Sequence, residues 1–339
     1  GDVYKRQISR VLLKCISMIE KKSREYEIED VFRTYGVLTR EAGFYFYFSR
    51  KIRELRECGH EGTARAYASS LRSMQRYLGK KDFPFIKLSS RIISDYQGKL
   101  LASGICDNTI GFYLHNIKAL FRKGCREMGL ELPCPFRDIS IKTEKTLKRS
   151  LDPVVIKTLS AIELEKDSPL SLARDIFMFS FYTRGMSFVD IALLKKRHVF
   201  PGEICYRRHK TDQLMRVGIN KEISRILERY KNVPGEYIFP LFPAERDPYA
   251  GYRSAYHRIR YSLGKISRVI GLEFPLRLHA ARHSWATIAK VNGASVHVIG
   301  ECLGHTSEKT TRIYLKELDH SALDAVNNQV ADFILAVDD

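Results

Sequence analysis

With 339 residues and 44% hydrophobic content, the chain is long enough to bury two cores, because one core rarely grows past about 250–300 residues. It carries 57 Lys and Arg against 39 Asp and Glu, a formal charge of +18, which points to a polyanionic partner rather than to a merely soluble basic surface. Its seven cysteines (Cys15, Cys58, Cys106, Cys125, Cys134, Cys205 and Cys302) are scattered without a C-x-x-C pair, which excludes a disulfide framework and a zinc ribbon and suits a reducing cytosol. No apolar run approaches the roughly 18–20 residues that span a bilayer, and the first residues lack a signal pattern, so the expected location is cytoplasmic.

Through Arg149 there are 30 basic and 17 acidic residues, a charge of +13, against +5 for the remainder. The front is therefore the more basic part. Gly1–Gln7 begins without Met and reads as an assembly remnant. In the N-terminal extension, residues 1–39, Ile8, Val11, Leu12, Cys15 and Met18 fit one face of an opening helix; the length and helical pattern of residues 8–40 leave open a separate small domain there.

Residues 40–138 read as an all-α module of four helices. The aromatic run Phe44–Phe48 suits helix core better than a base-stacking platform. Thr63 is the expected N-cap of a helix carrying Tyr67, Leu71, Met74 and Leu78. Ser89 and Ser90 precede a third helix with Ile92, Ile93, Tyr96 and Leu100. Asp107 or Asn108 is expected to cap a fourth, with Ile110, Leu114, Ile117 and Phe121. Arg65, Arg72, Arg76, Lys118, Arg122 and Lys123 lie on the polar faces and fit phosphate contacts, the alternative being ordinary solvated helix faces.

Residues 139–151 (ISIKTEKTLKRSL) are basic and poor in apolar groups, the natural linker, whose cations could track a backbone. From Asp152 to Asp339 the pattern is mainly α with a small β-sheet, an α+β domain. Helices are expected at 153–165 and about 169–183. GEICYRRHK and QLMRVGI then alternate as two strands around a turn at 209–212, which places Arg207, Arg208 and Lys210 on a hairpin. Helices at 221–231 and about 250–270 follow, and the chain closes on an apolar stripe of Leu323, Val326, Val330 and Phe333, a tail helix.

The chemistry concentrates in LRLHAARHSWAT (276–287) and LGHTSEKTTRIYL (303–315). His279 and Arg282, three apart on a helix, share a face and can converge on one oxyanion. The planar guanidinium pairs with two phosphate oxygens at any working pH. His283 stands four from His279, but the glutamate of a zinc-protease motif is absent, so it reads as a core or supporting histidine. Gly304 implies a tight turn before His305, and Thr306 or Ser307 caps a helix that carries Lys309, Arg312 and Tyr314. A phenol is a weak nucleophile at neutral pH unless neighbouring cations stabilise its anion.

With these residues in order, the sequence resembles the tyrosine recombinase (phage integrase) family over about residues 40–320. The segments 279–283, 303–306 and Tyr314 match its catalytic motifs in order and spacing. GTARAYASSL (62–71), DNTIGFYLHNIKALF (107–121) and PCPF (133–136) look like its helical core-binding domain. The resemblance implies a core-binding domain and a catalytic domain closing on duplex DNA as a clamp. Tyr314 would attack the scissile phosphate to give a 3′-phosphotyrosyl link and a free 5′-hydroxyl. Arg282 and a second arginine would hold the non-bridging oxygens, His279 and His305 would hydrogen-bond the phosphate, and Lys210 would protonate the leaving oxygen. No metal, cofactor or ATP is implied. Partners would be double-stranded DNA, other protomers in a synaptic tetramer that the tail couples, and, where needed, an accessory DNA-bending protein.

The first arginine departs from the family pattern, in which it stands three residues before an acidic group. Asp190 fits, but the position three before it is Ser187, with Arg184 one further helical step upstream. On a continuous helix Arg184 would reach the phosphate from the adjacent turn, and it is assigned the role, with Arg207 and Arg208 as alternatives. Three rival activities remain open on sequence alone: type IB topoisomerase-like relaxation, a catalytically impaired DNA-binding relative, and a metal-dependent nuclease, for which the motif region lacks clustered carboxylates.

Overall fold

The structure, a computed structural model, describes residues 43–141, 144, 150–242, 248–305 and 307–315, and for residues 248–250, 313 and 314 the backbone alone. The expected opening helix, Gly1–Gln7, Thr306 and the tail helix after residue 315 lie outside the described residues. The chain divides into two compact units, the first to Thr146 and the second from Leu147. Among the described residues no helix is long and apolar enough to cross a membrane.

The first unit contains α1 (Phe44–Glu57), α2 (Glu61–Leu78), α3 (Ser90–Ala102) and α4 (Asp107–Met128). Phe44, Tyr45, Tyr47 and Phe48 are buried and only Phe46 faces out, so the aromatic run is core. The start of α1 is capped from a distance, as Asp82 accepts from the backbone N–H groups of Tyr45 (2.8 Å) and Phe46 (2.9 Å). A carboxylate there also meets the positive end of the helix dipole.

Two expected caps shift. Helix α2 begins at Glu61 with His60 as N-cap, so Thr63 lies inside it. Glu61 in that first turn both suits the dipole and pairs with Arg65 at 2.9 Å. Cys106, not Asp107 or Asn108, is the N-cap of α4. Asn108 is otherwise engaged: its amide donates to the Glu144 carbonyl (3.1 Å) and its oxygen accepts from the Glu144 N–H (3.0 Å). Ser89 caps α3 as expected. The start of the basic linker belongs to this unit, since Ile139 and Ile141 pack on its core and Gln97 donates to the Ser140 carbonyl at 3.0 Å.

The second unit contains α5 (Pro153–Ala161), α6 (Pro169–Tyr182), α7 (Phe188–Ala192), β1 (Val199–Phe200), β2 (Glu203–Arg207), β3 (Leu214–Gly218), α8 (Lys221–Arg229), α9 (Pro248–Val269), α10 (Leu278–Val291), α11 (Val296–Leu303) and α12 (Glu308–Tyr314). Asp152 and Ser168 cap α5 and α6, each followed by proline at the first helical position. Helix α5 stops at Ala161, short of the expected residue 165, because Ile162 turns extended and its carbonyl is taken by Arg174 Nη1 at 2.9 Å.

Helix α6 is apolar nearly all round and runs through the core, with α5, α8, α9 and α10 against it. Its one buried carboxylate, Asp175, accepts from Arg174 Nε (2.7 Å), Tyr230 Oη (2.9 Å) and Arg229, which ties α6 to α8. The sheet is antiparallel in the order β1-β2-β3, with Ile204 opposite Val217 and Tyr206 opposite Met215 on the buried face. The hairpin was expected; β1 was not, being too short to show a period.

Candidate active site

Four loops or helix ends of the second unit meet at the candidate site. The first follows α6. Thr183 closes the helix with its hydroxyl on the Phe179 carbonyl (2.6 Å), and Arg184 and Gly185 are then both left-handed, at φ 59° and 75°. Gly185 N–H returns to the Ser180 carbonyl (2.7 Å) and Ser180 Oγ donates to the Met186 carbonyl (2.8 Å). The chain thereby reverses before α7. Arg184 is therefore not on the same helix as Asp190, which corrects the expectation that it shares a face with Asp190 one turn away.

Ser187 caps α7, and its hydroxyl donates to Asp190 Oδ2 at 2.6 Å. The other oxygen of Asp190 accepts from the His209 backbone N–H at 2.8 Å. A buried carboxylate thus anchors the tip of the β2–β3 hairpin. Arg208 opens that tip, paired through its N–H with the Gln213 carbonyl (2.9 Å), and its guanidinium Nη1 donates to the carbonyl of Gly304 at 2.5 Å. Arg207 turns the other way, to the Asp212 carbonyl at 2.9 Å. Lys210 stands exposed at the tip.

Helix α10 carries the histidine and arginine motif. His279 is exposed in the first turn, its ring edge-on to His283 with centroids 4.8 Å apart. Arg282 is only 5% exposed. Its Nη1 donates to the Gly185 carbonyl (2.8 Å) and its Nη2 to the Leu303 carbonyl (2.5 Å), with His305 Nε2 2.9 Å from the same nitrogen. The guanidinium is oriented by backbone on two sides. Gly304, left-handed at φ 64°, ends α11 and turns His305 toward Arg282.

His305 Nδ1 lies 3.0 Å from Thr311 Oγ1, on α12, which Ser307 caps and which ends in Tyr314. Burial first, then the charges of Arg282, Arg208 and Lys210, lower the His305 pKa to about 4, so the ring is neutral at working pH. Tyr206 on β2 is pushed well above the ordinary phenol range by burial and by Asp190, opposed by Arg208, Arg282 and Arg184. All three arginines therefore lie within electrostatic reach of one buried ring.

The second unit thus brings Arg282, His305, Arg208 and Lys210 to one turn, with Arg184 at its edge. Sequence reasoning missed Gly185 and Thr311. The first has a signal only in hindsight, a glycine beside the arginine, and the second has none, because its role exists only through His305. It also missed a groove of about 600 Å³ between α9 and residues 272–277, lined by His257, Arg260, Tyr261, Arg268 and Arg277. In the first unit Arg72, Arg76, Arg122 and Lys123 are exposed, Lys118 is half-buried, and Arg65 is engaged by Glu61.

Comparison with known proteins shows the family. Residues 150–320 match the phage integrase family and residues 43–136 the phage integrase SAM-like domain. The chain belongs to the phage integrase family. It is a tyrosine recombinase, an enzyme that cleaves and rejoins DNA in site-specific recombination.

Among relatives, tyrosine recombinase XerC of Shewanella oneidensis is 26% identical over 226 residues, 64% of this recombinase and 70% of that protein. XerD of Pseudomonas putida is 24% identical over 262 residues, 75% of this chain and 86% of that one. Two solved structures share the fold. A lambda integrase dimer bound to a core site matches with TM-score 0.61 and 16% identity, covering 82% of this chain and 97% of that chain. The Tn1549 transposon integrase bound to a circular intermediate DNA matches with TM-score 0.62 and 15% identity, covering 85% and 99%.

Proposed function

We propose that this recombinase binds a DNA duplex with Tyr314 as nucleophile on the scissile phosphate, Arg282 and Arg208 as the two guanidinium clamps, His279 and His305 as hydrogen-bonding partners of the phosphate, and Lys210 as the acid for the leaving 5′-oxygen. The observation that carries this reading is the turn at Gly304. Arg282 binds the carbonyl before it, Arg208 binds its own carbonyl, and His305 follows it, while the helix ending in Tyr314 hangs from the same segment. Cations gathered there stabilise both the phosphorane charge and the phenolate that attacks. The link formed is a 3′-phosphotyrosyl ester, so strands rejoin by the reverse attack without an external energy source.

Arg208 takes the place assigned from sequence to Arg184. The charges felt by His305 are those of Arg282, Arg208 and Lys210, whereas Arg184 points to the Arg216 carbonyl at 3.5 Å. Arg65, Arg72, Arg76, Lys118, Arg122, Lys123 and Arg207, together with the groove cations Arg260, Arg268 and Arg277, supply phosphate contacts whose affinity falls with salt. Residues 40–138 and 152–339 act as the two DNA-holding domains, joined by residues 139–151. A DNA-bound tetramer, as the lambda integrase structure on a Holliday junction forms, is the working assembly, with an accessory bending protein where the site requires one.

The test is a nicked suicide duplex followed by mapping of the adduct. Recovery on Tyr314, abolished in Tyr314→Phe, is the expected result; an adduct on another residue overturns it. Arg208→Ala should lower trapping by about 10²–10³-fold, the usual cost of losing one oxyanion donor, and Arg184→Ala by far less. The reverse order returns the role to Arg184.

A further inference from the structure

We propose that Thr311 is a positioning residue of the recombination reaction, whose hydroxyl sets the tautomer of His305 and, by turning from acceptor to donor, lets that ring pass from accepting an Arg282 N–H to donating to phosphate. The inference rests on the reading of His305 as a phosphate contact. Its starting point does not.

A guanidinium can only donate, so His305 Nε2, 2.9 Å from Arg282 Nη2, is an acceptor. A neutral imidazole then carries its proton on Nδ1, where Thr311 Oγ1 at 3.0 Å accepts it. In this state the ring is turned inward and offers phosphate no donor from Nε2. An anionic oxygen placed against Arg282 competes with Nε2 for the same N–H and wins, since it meets the guanidinium as a full ion pair with fork geometry, whereas the neutral ring nitrogen offers only a lone pair. Nε2 must then acquire a proton of its own.

Two routes lead there. Adding a second proton makes an imidazolium, which burial and the facing charges of Arg282, Arg208 and Lys210 oppose. The other route conserves charge. The Nδ1 proton leaves to water, a proton from water arrives on Nε2, and no net proton is gained. That exchange needs a partner at Nδ1 which accepts before it and donates after it. A carbonyl or carboxylate would hold Nδ1–H permanently, whereas a hydroxyl does both.

The surroundings hold that hydroxyl in place. Thr311 is 0% exposed, and a Cβ on Gly300 would fall 2.9 Å from its Oγ1, so only glycine on α11 leaves the room. Thr311 also precedes Tyr314 by three on α12, the spacing that shares a helix face. Leu315, at the end of that helix, packs with Ala286, Ile299 and Leu303. One hydrogen bond therefore connects the ring that touches phosphate with the helix that delivers the nucleophile.

The experiment is ¹⁵N NMR of histidine-labelled full chain at neutral pH, paired with single-turnover cleavage of the suicide duplex, for the parent, Thr311→Val and Thr311→Ser. The parent without DNA should show His305 protonated on Nδ1. Thr311→Val, nearly isosteric, should lose that preference and slow cleavage about 10–100-fold, the range expected for one buried hydrogen bond, with DNA binding retained. Thr311→Ser should restore both, which a purely packing role would not require. An Nε2-protonated ring in the DNA-free parent overturns the proposal, as does a Val variant with unchanged tautomer and rate. If the parent forms no adduct at all, the phosphate reading falls and the exchange with it, while the DNA-free spectrum still reports separately on the Thr311 bond.

Discussion

Arg282 Nη1 donates to the Gly185 carbonyl at 2.8 Å, and a Cβ added to Gly185 would lie 2.5 Å from Arg282 Cγ and 2.8 Å from its Cα. Glycine is required twice over at this position, by its left-handed φ of 75° and by the backbone of α10 pressed against it. Gly185→Ala should cost about 1–2 kcal/mol for the backbone conformation and a further 1–3 kcal/mol for overpacking. Urea unfolding measures the sum, and trapping of the DNA adduct should fall more than stability alone explains, because the guanidinium is displaced. A variant with normal trapping would mean that Gly185 does not position Arg282.

Asp190 is the anchor of the hairpin. Asp190→Ala removes the acceptor of both the Ser187 hydroxyl and the His209 N–H, and His209 stands directly between Arg208 and Lys210. Losing the acceptor for such groups costs about 1–3 kcal/mol. Cleavage should drop while salt-dependent duplex binding stays near the parent value, since the first unit is untouched. Equal loss of binding and cleavage would argue for a global defect instead.

His305 gives a pH signature. The free imidazole titrates at 6.5 and the folded one at about 4, so between these values the unfolded chain holds more protons. The stabilisation from the neutral ring is therefore complete above about pH 6.5 and is lost as pH falls through about 4. The stability difference between parent and His305→Gln, read from urea midpoints, should be flat at neutral pH and shrink on acidification. His198, whose pKa is also lowered, cancels in that difference. A difference that grows toward acid would contradict the burial of the ring.

Asp175 holds the far end of the scaffold. Asp175→Ala leaves Arg174, Arg229 and the buried Tyr230 hydroxyl without their shared acceptor, and breaking a buried pair of this kind costs about 3–5 kcal/mol. Thermal unfolding should show the loss, and Asp175→Asn, which keeps an acceptor oxygen, should show less of it. Because α6 ends in the Arg184–Gly185 turn, the Ala variant should also weaken trapping at temperatures where it is still folded.

Much of this was legible before any coordinates. Helical spacing and cap residues located the longer helices to within a few residues, because amphipathic periods and Ser or Asp caps are local properties, but they did not give the short helices α7 and α11. Where expectation missed, another pairing had intervened. The Glu61–Arg65 pair, one turn apart, stands at the start of α2, whereas partners farther along the chain act elsewhere: Glu144 holds the Asn108 side chain, and Arg174 takes the carbonyl of Ile162 where α5 ends.

What the sequence determined by itself was the inventory of the site: two histidines and an arginine in order, a tyrosine at fixed spacing behind them, and cations on a hairpin, which together imply attack on a phosphodiester. Which cations gather at the Gly304 turn was decided only in three dimensions. Spacing favoured Arg184 on a continuous helix, but two left-handed residues break that helix, and the hairpin carries Arg208 to the Gly304 carbonyl instead. Thr311 entered the site the same way, through a ring that meets it only once Gly304 has turned. Residue type and period are written along the chain, whereas the direction a side chain takes depends on backbone reversals and on partners far away in sequence.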